Sequence, residues 1–203
     1  GNNQVKENLT ETDKFSRELF ATIATLNQNG VVYQATIDKL GASLAEKIKN
    51  PIVRKVFLIS EMKIINDNSV QAFINYNNTL NDIYKKYPPM SYTILDVLQK
   101  FVADENNIDA SALTKLNPII EQMNKVIEGM VKTNVPQPIS TLHLNVINSS
   151  ERLVENLEDI KLYESDTILA LGGVSRYEEN ATKLESDINN LGNAINQKFK
   201  QPQ

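Results

Sequence analysis

The last long stretch of this chain, Ser165 to Lys200, allows few folds. Ala170, Val174, Tyr177, Ala181, Leu184, Ile188, Leu191 and Ile195 recur at alternating intervals of four and three residues. That is the heptad stripe of a helix buried along one side. Between them stand Arg176, Glu178, Glu179, Asn180, Lys183, Glu185 and Asp187, which suit water. Such a helix cannot bury its stripe alone, so partner helices must run beside it. At 1.5 Å per residue it is about 54 Å long. Ile188 is expected deep in the seam, where a charge would unfold the protein.

The partners are sought upstream. Leu19, Ile23, Leu26, Gly30, Tyr33, Ile37, Leu40 and Leu44 keep the same alternation. A single helix from about Asp13 to Lys49 is therefore favoured over one broken at Asn29-Gly30, a common turn pair. Pro51 suits a first helical position, and a second helix is expected from there to about Tyr87. Its seam is polar at Lys63, Asn66 and Asn77, and Asp67-Asn68-Ser69 can kink or interrupt it. Tyr87-Pro88-Pro89 ends it. A short helix follows from Tyr92 to about Asp104, capped by Ser91. One or two helical turns fall over Ile108 to Leu116, and Asn117-Pro118 starts the next helix. Thr133 to Pro138, with two prolines, reads as a rigid linker. The fifth helix spans about Ile139 to Glu164, and Ser165-Asp166 caps the sixth. Gly172-Gly173 inside it predicts a kink or close packing. No segment alternates with period two for more than a few residues. The fold class is thus all-α, an elongated bundle of about six helices. It forms one domain over residues 10–203 after a tether at 1–9, with a possible sub-boundary near 133–138.

Composition excludes several function classes. The 203 residues carry a formal net charge of -4, and no basic run exceeds Lys85-Lys86. A nucleic-acid partner is not expected, since that wants a basic face. The hydrophobic fraction of 41% supports a core. No apolar run approaches the roughly 18 residues of a membrane span. The absence of cysteine removes disulfides, thiolate catalysis and thiolate-bound zinc. The chain opens Gly1-Asn2-Asn3-Gln4, and Gly1 reads as a cloning residue. A signal peptide or lipid-anchored cysteine is expected upstream, giving membrane contact only through a removed anchor.

No constellation carries chemistry. His143 is the only histidine. It stands beside the Leu142/Val146 seam without Glu-x-x-His or His-Glu-x-x-His spacing, so it reads as a surface or boundary residue. Glu151, Glu155, Glu158 and Asp159 share a helix face, read as solvated and paired with Arg152 and Lys161. Tyr76, Tyr84, Tyr87 and Tyr92 surround the Pro88-Pro89 turn and read as a packed corner. Gly172-Gly173 follows no strand and lacks the spacing of a phosphate cradle. Asn66 and Asn77 are the only hints of a polar pocket inside a bundle. Asn-x-Ser/Thr sequons, as at Asn8, Asn148 and Asn180, carry no weight where asparagine fills about one position in eight. Catalytic residues, metal ligands and cofactors are therefore assigned to none.

Residues 138–184 resemble a family in which a Pro-led helix carries Leu142-His143-Leu144, Asn148, Glu151-Arg152-Leu153 and Leu157. It is followed by a helix opening on Asp166 with Leu169-Ala170 and then Tyr177. These are uncharacterised helical proteins of small-genome, candidate-phylum bacteria, often encoded beside exported or pilus-like genes. The resemblance covers about a quarter of the chain. It implies a cell-envelope setting and assigns no functional residues. The expected function is a non-enzymatic, extracytoplasmic helical bundle that contacts another protein or acts as a spacer at a bacterial envelope. A small-molecule-sensing ectodomain and a soluble bundle of other role are the alternatives.

Overall fold

The computed structural model describes residues 54–102 and 108–200. The expected tether and first helix lie outside them. The described chain is mostly helical. It contains α1 (Val70–Lys86), α2 (Ile94–Phe101), α3 (Leu116–Val131), α4 (Ser140–Lys161) and α5 (Thr167–Lys200). Two strands, β1 (Lys63–Ile65) and β2 (Asn134–Pro136), pair in parallel.

Helix starts follow side chains that accept from free backbone N–H groups. Ser69 Oγ accepts from Ala72 N at 3.1 Å to open α1, and Asp67 Oδ1 accepts from Ser69 N at 2.8 Å. Thr93, not Ser91, caps α2. Its hydroxyl accepts from Asp96 N, and Asp96 accepts from Thr93 N at 2.7 Å, a capping box. These bonds favour the ionised form and hold the Asp96 carboxyl below the usual carboxylate range. Asp166 caps α5 by accepting from Leu169 N at 3.0 Å. After α1, Gln122 of α3 donates to the carbonyls of Tyr87 and Pro88 and fixes the corner that Pro88-Pro89 enforces.

The expected helix from Pro51 to Tyr87 is half wrong. Among its described residues only Val70–Lys86 is α-helical. Residues 54–58 take no helical form, a single 3-10 turn spans Ile59–Glu61, and β1 follows. The β-branched pair Ile64-Ile65 suits a strand. Its partner lies about seventy residues ahead, with Lys63 opposite Asn134, Ile64 opposite Val135 and Ile65 opposite Pro136. That partner sits in the segment read as a linker. Val135 is fully buried, and Thr133 and Pro136 are buried with it. Within the segment 133–138, Thr133, Val135 and Pro136 are thus core residues, while Asn134, Gln137 and Pro138 are exposed.

The chain forms two interleaved compact units. Among the described residues, one comprises 92–102, 108–116 and 159–175; the other comprises 54–91, 117–158 and 176–200. In the first, Val97, Leu98 and Phe101 of α2 are buried with Leu113 and Leu116. The Phe101 and Tyr163 rings meet edge to face at 4.9 Å. In the second, Phe73, Tyr76 and Leu80 of α1 are buried, as are Ile127 and Met130 of α3, Val146, Ile147 and Leu157 of α4, and Leu191 and Ile195 of α5. Gly129 brings α3 close to α1, since a Cβ there would stand 3.1 Å from Ile83 Cδ1.

The α5 stripe holds only at its ends. Ala170, Val174, Leu191 and Ile195 are buried. Tyr177, Ala181 and Leu184 are half-buried, and Ile188 is 45% exposed. Asp187 is buried in its place. Asp187, Leu191 and Ile195 lie four apart, so the buried line follows the i, i+4 ridge and leaves Ile188 outside. Lys183 neutralises Asp187 with ammonium–carboxylate contacts of 2.5 and 2.6 Å. Gly172 and Gly173 are buried inside α5, whose helical assignment continues through them.

Candidate functional site

His143 is not at the surface. It is fully buried in the second unit. Its Nδ1 lies 2.8 Å from the Tyr76 hydroxyl and its Nε2 lies 3.1 Å from the Met130 carbonyl. A carbonyl only accepts, so Nε2 carries the proton and Nδ1 accepts from Tyr76. Burial pushes the imidazole pKa down from 6.5 to about 4, against a smaller opposing pull from the Met130 carbonyl. Burial likewise raises the Tyr76 phenol far above its ordinary value. Both groups are neutral near pH 7. The trio ties α1, α3 and α4 together.

Two clefts flank this core, both within the second unit. The first has a volume of about 380 Å³. Ile65 and Asp67 line it before α1; Asn75, Tyr76 and Thr79 line it from α1; and Lys132, Thr133 and Asn134 line it after α3. The second has a volume of about 390 Å³. Lys55 and Phe57 form one wall, Glu151 of α4 another, and Asn124, Ile127, Glu128, Val131 and Lys132 the third. Asn66 and Asn77 line neither; Asn75, Asn124 and Asn134 do. Volumes near 400 Å³ fall in the small-ligand range.

The wall made by residues 54–58 is fixed by backbone bonding to α4. Asn148 accepts from Phe57 N at 2.8 Å and donates to Phe57 O at 3.1 Å. Glu155 accepts from Lys55 N at 2.7 Å. The acidic face of α4 is therefore not simply solvated. Glu151 and Asp159 are buried, Glu155 is half-buried, and only Glu158 is exposed. Arg152 pairs with Glu155 at 2.9 Å, as its sequence spacing implies. Lys55 Nζ reaches Glu151 Oε1 at 3.3 Å, while Glu151 Oε2 is buried with no hydrogen-bond partner.

The tyrosines differ in setting. Tyr76 is in the core, Tyr84 is 44% exposed, and Tyr92 belongs to the other unit, where its hydroxyl donates to the Lys115 carbonyl. Among the described residues no group of three or more His, Asp and Glu side chains is placed to hold a metal ion. No described helix is long and apolar enough to cross a membrane. The class these features define is a mostly helical protein with a small parallel strand pair and two half-open clefts. No protein-family model matches the chain, and no curated protein and no solved structure matches it either.

Proposed function

We propose that this chain is a non-enzymatic, extracytoplasmic helical bundle that makes protein contacts, or spaces its partners, at a bacterial cell envelope. One observation carries the contact reading. Val56, Leu58, Ile59 and Ile64, within one short segment, are 56%, 58%, 43% and 39% exposed. Asn148 and Glu155 hold the backbone of that segment at Phe57 and Lys55, so these apolar side chains are presented from a fixed frame. Clustered apolar exposure on a fixed frame is the usual mark of a contact surface. The expected test is the double variant Leu58→Glu with Ile59→Glu. Both positions face water, so the thermal midpoint stays within a few degrees of the parent, and affinity for the envelope partner falls. Unchanged affinity would remove the contact reading.

The envelope setting rests on the resemblance of residues 138–184. Fractionation of cells expressing the full-length gene tests it, and a purely cytosolic fraction would remove it. The finer architecture belongs to the same proposal: an elongated bundle of about six helices, with a radius of gyration above the roughly 17 Å of a compact chain this long. Small-angle scattering reads that value. A small-molecule-sensing ectodomain is the second reading, favoured by the two clefts of about 380 and 390 Å³.

A further inference from the structure

Glu151 is the least satisfied group of the cleft it lines. The residue is 6% exposed, one carboxylate oxygen meets Lys55 at 3.3 Å, and the other has no partner. A mostly buried carboxylate with one oxygen unpaired is costly, so it favours a cation held firmly at its other oxygen. The neighbouring groups indicate which kind. Lys55 Nζ stands 4.3 Å from the Phe57 ring centroid while it pairs with Glu151. The space between that ring and that carboxylate already accepts an alkylammonium, through charge and cation–π attraction together.

Charge in the cleft is balanced. Lys55 and Lys132 oppose Glu128 and Glu151. Lys132 Nζ is 3.9 Å from Glu128, beyond hydrogen-bond reach, so its ammonium can turn to an incoming carboxylate. Ile127, Val131 and the Phe57 ring supply apolar wall. A purely cationic ligand would meet two lysines and a purely anionic one two glutamates. A zwitterion satisfies both signs.

We infer that this cleft binds a free apolar amino acid. Its ammonium takes the place of the exposed Lys55 ammonium between Glu151 and the Phe57 ring, its carboxylate pairs with Lys132, and its side chain lies against Ile127 and Val131. The inference rests on the small-molecule reading and is independent of the contact reading, which the Leu58 and Ile59 substitutions test separately.

Calorimetry and thermal melts on the whole chain test it with L-leucine, L-methionine and L-phenylalanine. Two analogues of leucine serve as comparisons: 3-methylbutylamine, which lacks the carboxylate, and 4-methylpentanoate, which lacks the ammonium. At least one amino acid binds saturably and raises the midpoint, while both analogues bind at least about tenfold more weakly. Glu151→Gln keeps the shape but weakens that amino acid by about 10- to 100-fold. Should Glu151→Gln fail to fold, Lys132→Ala decides, because its side chain is 73% exposed and its loss spares the core. It weakens the amino acid by about tenfold and leaves 3-methylbutylamine unchanged. The inference is overturned if no amino acid binds at about 10 mM, if the analogues bind as tightly, or if the substitutions leave affinity unchanged.

Discussion

At the residue scale, His143 gives the sharpest prediction. In the unfolded chain the imidazole titrates near 6.5, and in the folded protein near 4. A base whose folded value is depressed stabilises fully above the unfolded value, and that stability is lost as pH falls through 6.5 toward 4. At 1.36 kcal/mol per pH unit, going from pH 7 to pH 5 costs about 2 kcal/mol from this group. Denaturant titrations of the parent and of His143→Gln at the two pH values check it: the parent loses about 2 kcal/mol more than the variant. Equal losses would mean that the imidazole is accessible to protons. His143→Ala at pH 7 removes the partner of Tyr76 and Met130 and leaves a cavity, destabilising by about 3 kcal/mol. Ile188→Asp goes the other way. With the side chain 45% exposed, the midpoint stays within a few degrees of the parent. A collapse of the fold would restore Ile188 to a buried seam.

At the element scale, the cap matters more than the pattern. Ser69→Ala removes the acceptor for Ala72 N and costs about 1 kcal/mol, read as a lower urea midpoint with an unchanged slope. α2, α3, α4 and α5 were legible in the sequence to within a few residues, because prolines, caps and heptads punctuate them. β1 was not, since three residues cannot display an alternation. Its pairing with Asn134–Pro136 depends on contacts distant in sequence. A heptad template laid over residues 52–66 found apolar residues at helical spacing there, yet the backbone bonds at Lys55 and Phe57 go to Glu155 and Asn148 instead. The same limit hid the clefts. His143 was visible as a lone histidine, but the tyrosine that meets it lies 67 residues away. Glu151 looked like one member of a solvated face until Lys55 came down upon it.

At the scale of the whole molecule, a helical core contains neutral buried hydrogen bonds such as Tyr76–His143, and a short apolar segment at residues 56–64 is exposed. Core polar groups such as Tyr76 and His143 satisfy one another and so help to specify packing. Four exposed apolar side chains, Val56, Leu58, Ile59 and Ile64, are close together in the sequence of the 56–64 segment. The central claim is that this segment is where the protein meets its partner. Site-specific photo-crosslinking tests it most directly. A photoreactive residue is placed at Leu58 in cells producing the full-length protein, with a second at Glu185, an exposed polar position on α5. The account predicts a discrete adduct with one envelope protein from Leu58 and none from Glu185. No adduct at Leu58, or the same adducts from both positions, would contradict it.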